Sequence, residues 1–456
     1  MSTQLPLTFQ QQWLWTLIQR HSGWRCVLTY VLRLSGSLKV DVLQMSLEEI
    51  IRRHGALRTR FVCVDGVAMQ QIEEPRACRL DVLPVSGASK ADIDASSRRA
   101  LEAFADQKID PTGEALLNFG LFRLGDREHL LVLTIHRLIT DCVSVDLLFR
   151  EIWLLYESFA QDGGAPAPVM VPTQYSDYAQ WQQQTYPEWL RRHEAYWKEH
   201  LDGVPALRWP AQKGTAGAQR GTLGRMKCLF GAALSTELRE GARQSQTLAA
   251  MYMLAIYVAV LSRWCGQRDF VVPFNVAGRQ SEHKNVVGYF SHLLYLRLTL
   301  TGRETFLELL GVVSNEFFRA LCHQDFGTIA TRLPELSAGT FFQWISWHQD
   351  DVSGKSVREV PGDLTAERFS FREFGEGLTA IPPGMVDVEV SFFDTDEGIH
   401  ALGVYRADLF TAEAMERFIQ ELRSAAAEFV RDRHASIAQD IGLGGDWSAK
   451  VAARGP

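Results

Sequence analysis

The sequence predicts a mixed α/β protein of two layered lobes with a cleft between them. Three observations lead there. The chain has 456 residues, 46% of them hydrophobic, which can fill a large core. At roughly 100–200 residues per domain, that length accommodates two or three domain-sized units. β-rich runs alternate with amphipathic helical periods in both halves. A stretch of linker composition, DGGAPAPVMVP at 162–172, divides the chain into lobes at 1–172 and 173–456.

The elements follow in order. RCVLTYVLRL, 25–34, is β-rich and reads as a strand. Asp41 precedes a helical period carried by Leu43, Leu47, Ile50 and Ile51, and Gln44 three residues on suggests a capping box. Two β-like segments, Leu57–Val64 and Arg76–Leu83, lead to a polar helix over roughly 89–105. HLLVLTI, 129–135, reads as a buried strand, and Val145, Leu148, Phe149, Ile152, Leu155 and Phe159 mark a helix over about 143–160. In the second part, polar and aromatic helices span 174–201, and the Gly-rich GTAGAQRGTLG, 214–224, leads to the strand RMKCLF. A helix over 247–263 is followed by the strand FVVPF and a helix over about 303–322. Strands are expected at 340–347, 386–393 and 399–405, and a last helix over about 411–432 has Thr411 as its cap.

Composition removes several function classes. The net charge is −7 and the pI about 6.0, so nothing global favours nucleic acid or an anionic membrane. Seven cysteines, an odd number without a CxxC pair, argue against a disulfide framework or structural zinc and fit a reducing compartment. The start, MSTQLPLTFQQQWLW, lacks the basic-then-apolar pattern of a signal peptide, and a cytoplasmic protein is expected. SQTLAAMYMLAIYVAVLS, 245–262, approaches the length of a membrane span. It reads better as a helix buried between layers, with alanines for close packing.

The chemistry concentrates in LVLTIHRLITDCVS, 131–144, where an apolar strand stops at a histidine just before a helix. Rigid elements on both sides hold residues at such a place. A neutral imidazole can accept a proton or orient a nucleophile. A guanidinium cannot accept one, but it can donate to an oxyanion or bind an anion. Cys142 invites a nucleophile reading, yet no base is assigned to it and cysteines are common in cores. Ser144 reads as part of the helix start.

Several segments, in order, resemble the condensation domains of nonribosomal peptide synthetases. They are TFQQQWLW (8–15), RHGALRTRF (53–61), YSDYAQWQ (175–182), YWKEHLDG (196–203), NVAGRQSEHKNVVGYFSHLLYLR (275–297), HQDF (323–326) and FFQWISW (341–347). Each is weak alone, and their order over nearly the whole chain is specific. The resemblance implies two chloramphenicol-acetyltransferase-like lobes forming a V-shaped pseudodimer. It places the active centre at their junction, reached from each face by a tunnel where a carrier protein docks. No cofactor or metal is implied; the substrates are expected on the phosphopantetheine of acyl or peptidyl carrier proteins.

The centre departs from the family's His-His-x-x-x-Asp-Gly. Here it is His136, Arg137, Leu138, Ile139, Thr140, Asp141 and Cys142. Arg137 occupies the catalytic-histidine position, where it would stabilise charge or block the tunnel, and it cannot be a general base. Neighbours at a strand end face opposite ways, so His136 is expected to be packed and bonded to backbone. It would need a local backbone change to take over catalysis. The resemblance makes Asp141 structural and pairs it with Arg279 of NVAGR, unless Arg137 competes for it. Cys142, at the glycine position, and Ser144 would line the channel. His292, where the family has Asn of an Asn-Thr pair, is a surrogate base or a packing residue.

Two functions compete. One is a stand-alone condensation-type enzyme joining a carrier-bound acyl thioester to an amine or alcohol; the initiating Met and the lack of attached carrier or adenylation modules favour a free-standing protein. The other is a non-catalytic domain that binds carrier proteins and recruits a cytochrome oxygenase, because the X-domains of glycopeptide assembly lines also carry His-Arg-x-x-x-Asp. A gatekeeping homologue that binds a carrier alone is a third. The expected protein is a monomer without nucleic-acid or membrane partners.

Overall fold

The structure, a computed structural model, describes residues 4–438 except 22, 23, 25, 77, 79, 88, 162–172, 211–221, 325–338, 348–357, 360–362, 369–381, 383 and 384. The 162–172 stretch, residues 214–221 of the Gly-rich connection, and Asp325 and Phe326 of HQDF therefore lie outside the described residues, as do Arg25, Ala77 and Arg79 of two expected strands.

In chain order the helices are α1 (Phe9–Arg20), α2 (Val40–Arg53), α3 (Lys90–Ala105), α4 (Cys142–Ala160), α5 (Tyr175–Leu201), α6 (Ala232–Gln244), α7 (Ala249–Cys265), α8 (Phe306–Leu321) and α9 (Ala412–Arg431). The strands are β1 (Gln4–Pro6), β2 (Val27–Ser35), β3 (Thr59–Val64), β4 (Val67–Ile72), β5 (Asp81–Pro84), β6 (Leu117–Arg123), β7 (Glu128–His136) and β8 (Leu223–Leu229). They continue with β9 (Asp269–Val276), β10 (His292–Thr299), β11 (Thr340–Trp347), β12 (Arg358–Glu359), β13 (Thr365–Arg368), β14 (Val388–Thr395) and β15 (Gly398–Arg406).

Two compact units result. The first comprises Met1–Leu190, Ala277–Ser291 and Gln349–Leu378; the second comprises Arg191–Val276, His292–His348 and Thr379–Pro456. Each unit draws on separated stretches of chain, so this partition differs from a division in chain order at 172/173.

The first unit is built on a sheet of order β12-β13-β2-β7-β6-β5, beside a small sheet β1-β4-β3. β7 reads EHLLVLTIH and is buried at every position after Glu128, as a central strand covered on both faces must be. On one face, Leu101 and Phe104 of α3 pack on Val31, Phe122, Leu130 and Val132. Phe149 of α4 meets Tyr30 of β2 edge-on, 6.3 Å between centroids. Behind α4, His54 Nε2 lies 3.0 Å from Glu151 Oε2, tying the end of α2 to α4. RHGALRTRF supplies this joint. Its Gly55–Arg58 is a 3-10 turn that takes Leu57 and Arg58 out of the expected strand, which starts at Thr59. The capping box on Asp41 is also absent. α2 starts two residues earlier, at Val40 after Lys39, and Gln44 bonds Glu48 and the Leu80 N–H instead.

The second unit carries a sheet of order β10-β9-β11-β14-β15-β8. The apolar 245–262 stretch yields α7, which is buried along nearly its whole length and is closed by Gly266 in the left-handed conformation. Its Tyr257 hydroxyl bonds Thr340 of β11, and its ring meets Phe418 of α9. Thr305 and Glu308 cap α8 reciprocally, and Thr411 caps α9 by accepting the Ala414 N–H. No single helix among the described residues is long and apolar enough to cross a membrane; α6 and α7 pass that test only as a pair bent by 104°.

Candidate functional site

The turn that follows β7 and the stretch 277–291 build the site in the first unit. Val27 pairs with His136 as the last step of the β2–β7 ladder, and the Arg137 N–H donates to the Cys26 carbonyl at 2.9 Å. Residues Arg137–Ile139 then turn as a 3-10 helix, with Leu138 and Ile139 fully buried. The Leu138 carbonyl accepts from the Gln11 side chain of α1 at 2.9 Å. That contact ties TFQQQWLW to the strand end. The turn delivers Asp141 to the N-cap of α4, where Oδ1 accepts the Ser144 N–H at 2.8 Å.

Asp141 is a fully used hub. Oδ1 also accepts from Arg279 Nη2 at 2.8 Å, and Oδ2 accepts the Phe290 N–H at 3.0 Å. Both members of the pair are buried, with side-chain exposures of 6% for Arg279 and 2% for Asp141. Such a pair holds only when its remaining donors and acceptors are satisfied. They are here, almost completely. Arg279 Nη2 also donates to Ser144 Oγ, and Nη1 donates to the Val286 and His283 carbonyls, leaving Nε–H alone without a partner. The guanidinium carbon lies 4.3 Å from the centroid of the Phe290 ring, a cation–π contact. Arg137 does not displace Arg279 from Asp141.

Ser144, expected to line a channel, is buried with no exposed surface. Its hydroxyl donates to the Gly288 carbonyl at 2.7 Å and accepts from the Gly288 N–H at 3.0 Å as well as from Arg279. One donor and two acceptor positions are all in use. Gly288 has no alternative at this place: an added Cβ would fall 2.0 Å from the Tyr175 ring. Tyr175 in turn donates to the Tyr289 carbonyl and bonds the Thr8 hydroxyl, which caps α1. The GYF of residues 288–290 is thus pinned at all three backbones.

The titratable groups point one way. His136 is 2% exposed and its Nδ1 accepts the Leu138 N–H at 3.2 Å. Burial, reinforced by the Arg137 charge and opposed by Asp110, drives its pKa down to about 3. A ring this weakly basic is a poor proton acceptor at neutral pH. The Cys142 thiol is pushed up, first by burial, with Asp141 and Asp146 adding to it and Tyr30 and Arg137 opposing. It stays protonated, unlike a nucleophilic thiolate. Burial likewise raises Cys26, to about 12, against the pull of Arg137. The half-buried Arg137 thus acts electrically on Cys26, His136, Cys142 and Tyr289 together. His292 belongs to the second unit, where it is buried and opens β10 opposite Val276.

Sequence reasoning singled out neither Tyr175 nor Tyr289. Both lie inside quoted motifs, but no spacing rule relates them to residues 136–144. Among the described residues, no group of three or more His, Cys, Asp or Glu is arranged to hold a metal.

What the site can do is set by its donors: a fixed carboxylate–guanidinium scaffold, and beside it a guanidinium where proton acceptors are either consumed or too weak. The comparisons fit this frame. The profile of the condensation domain matches residues 1–441. The isonitrile lipopeptide synthase of Mycobacterium tuberculosis is 30% identical over 468 residues, covering 98% of this chain and 18% of that protein. The chain spans less than a tenth of the length of the linear gramicidin synthases of Brevibacillus parabrevis that it matches, at up to 33% identity. Among solved structures, the condensation domain of the monacolin K polyketide synthase MokA superposes with a TM-score of 0.80 at 18% identity, covering 96% of this chain and 99% of that one. The X-domain from teicoplanin biosynthesis gives 0.78 at 23% identity, covering 95% and 97%; it is also known in complex with OxyB, at 0.76, 24% identity, 97% and 96%. These likenesses establish the mixed α/β, chloramphenicol-acetyltransferase-like fold. The chain belongs to the condensation-domain family of nonribosomal peptide synthetases.

Proposed function

We propose that this protein joins a carrier-bound acyl thioester to an amine or alcohol, with Arg137 stabilising charge where the family uses a histidine. The observation that carries the reading is the setting of Arg137. The Asp141–Arg279–Ser144 scaffold is formed at the end of the same short turn, and the Arg137 charge acts on the buried Cys26 and His136. A condensation reaction without a general base works by placing the reactants and by donating to the oxyanion. The acceptor arrives with its amine already neutral. The acyl group rides on phosphopantetheine of an acyl or peptidyl carrier protein, and the protein itself contributes no cofactor. Asp141 and Arg279 act as scaffold, Cys142 narrows the acyl channel, His136 packs, and His292 gates rather than takes the proton. Lobes at 1–172 and 173–456, a free-standing monomer and a cytoplasmic location are part of the proposal. The native mass of the protein isolated from its own cells checks whether it is free-standing and monomeric.

A second reading has its own support. The teicoplanin X-domain shares the fold and assembles with OxyB, and the His-Arg-x-x-x-Asp centre resembles that of X-domains. Under it, this chain binds carrier proteins and recruits an oxygenase.

Intact-mass analysis of acyl-loaded carriers with their acceptors separates the two. Product formed by wild type and lost in Arg137→Ala supports condensation. Saturable carrier binding without transfer by wild type supports recruitment.

A further inference from the structure

The side chain of Gln11 does more than its helix needs. Its Oε1 accepts the Thr8 N–H at 3.0 Å, and its backbone N–H donates to Thr8 Oγ1 at 3.1 Å. Those two bonds complete the capping box of α1, and a glutamate at this position makes the same pair. The amide nitrogen is surplus to the cap. It donates to the Leu138 carbonyl at 2.9 Å, 127 positions along the chain. Only one orientation of the amide satisfies both partners. Gln11 is buried, as are Thr8 and Leu138, so water does not replace these bonds freely. Behind Gln11 the frame is fixed to α5 of the same unit. Thr8 Oγ1 lies 2.9 Å from the Tyr175 hydroxyl, the Phe9 N–H donates to Gln182 Oε1 at 2.8 Å, and Gln182 Nε2 donates to Gln10 Oε1 at 3.0 Å. In front of it is the turn that carries Arg137. The Arg137 N–H is held by the Cys26 carbonyl at 2.9 Å and the Leu138 N–H by His136 Nδ1 at 3.2 Å. Those anchors belong to the sheet end. Gln11 anchors the next carbonyl to α1, and through α1 to α5.

We propose that Gln11 is a positioning residue for the transfer reaction: by holding the Leu138 carbonyl it fixes the turn from which Arg137 acts on the acyl thioester. The inference rests on the condensation reading of Arg137. Gln11 touches no reactant in this account. It acts by keeping the Arg137–Ile139 turn in one place while the donor and acceptor arrive, and a reactive group displaced by about 1 Å loses much of its effect. A glutamate would cap α1 equally well, so the second bond gives the amide its reason to be there.

The test is single-turnover transfer from an acyl-loaded carrier, followed by intact mass, for wild type, Gln11→Met, Arg137→Ala and the double variant. Gln11→Met is expected to slow transfer by about 10–100-fold, with the carrier concentration at half-saturation unchanged. In the Arg137→Ala background the same substitution should cost less than about 2-fold, because its effect runs through the guanidinium. Equal slowing in both backgrounds overturns the inference in favour of a general structural role. So does a Gln11→Met protein that transfers within about 2-fold of wild type; either result leaves the condensation reading standing. Gln11→Glu decides where Gln11→Met does not fold or Arg137→Ala is too slow to compare. A protonated carboxyl makes both bonds of the amide, and an ionised one cannot donate. Its transfer relative to wild type should therefore fall as pH rises from about 5.5 to 9. The titratable groups bonded to this corner keep their charge over that range: burial drives His136 down to about 3 and raises Tyr175. A flat ratio overturns the inference. Wild type that transfers nothing, while binding carriers, overturns the condensation reading and this inference with it.

Discussion

Asp141 and Arg137 are four residues apart, and their surroundings are opposite in kind. Around Asp141, both carboxylate oxygens, the Ser144 hydroxyl and both terminal nitrogens of Arg279 have partners. Around Arg137 lie a histidine too weak to take a proton, two thiols held protonated, and a phenol whose pKa burial raises. A satisfied buried network rigidifies, and its members are costly to remove one at a time. The comparison separates an architectural corner from the one to which we assign the chemistry, although one short stretch of sequence encodes both.

The sharpest break of this contrast is Arg279→Ala. It strands the Asp141 carboxylate in a buried site, and a loss of roughly 3–5 kcal/mol is expected, read as a lower urea midpoint. Arg137→Ala, by contrast, should keep stability to within about 1 kcal/mol and change transfer instead. If both variants unfold alike, the division into architecture and chemistry fails.

Gly288→Ala comes next. Its methyl would enter the Tyr175 ring, and overpacking of this kind costs about 1–3 kcal/mol. The same urea titration measures it.

Acid is the third probe. A histidine whose folded pKa is lowered stabilises the fold in its neutral form. That stability is fully present above the unfolded pKa of about 6.5 and is lost as pH falls toward the folded value of about 3. The sign follows from the unfolded chain binding more protons across that window. The decline amounts to roughly 2 kcal/mol between pH 7 and pH 5. His136→Asn keeps an acceptor for the Leu138 N–H and should flatten that slope in urea midpoints taken from pH 7 to 5. A slope unchanged by the substitution would assign the acid sensitivity elsewhere.

Cys142→Ala should matter least, within about 1 kcal/mol. Intact mass of wild type incubated with acyl donor should show no acyl adduct on the protein; an adduct lost in Cys142→Ala would make the thiol a nucleophile after all.

Much of the fold was legible because single periods decide it. The unbroken apolar run of β7 and the helical faces of α4, α8 and α9 are strong patterns, and each lies within a few residues of its expected bounds. What escaped was short or half-buried. β4, VAMQQI, is a hairpin strand with little apolar character, and α6 has Gly241 and many polar residues. Capping was misjudged at Asp41 because Gln44 found a better partner across the chain, in the Leu80 backbone. The same limit governs the site. His136, Arg137 and Asp141 stand out by spacing, whereas Tyr175, Gly288 and Tyr289 acquire their roles only when residues more than a hundred positions apart are brought together.

The most direct test of the central claim, that a guanidinium does the work usually given to an imidazole, is the pH dependence of single-turnover transfer for wild type and Arg137→Ala. The guanidinium stays charged across the accessible range. Wild type should therefore show one inflection, moving with the pKa of the chosen acceptor, and Arg137→Ala should be slower by a constant factor at every pH. An inflection near 6.5 that stays fixed when the acceptor is changed, and survives in Arg137→Ala, would show that a histidine base drives the reaction and would contradict the account.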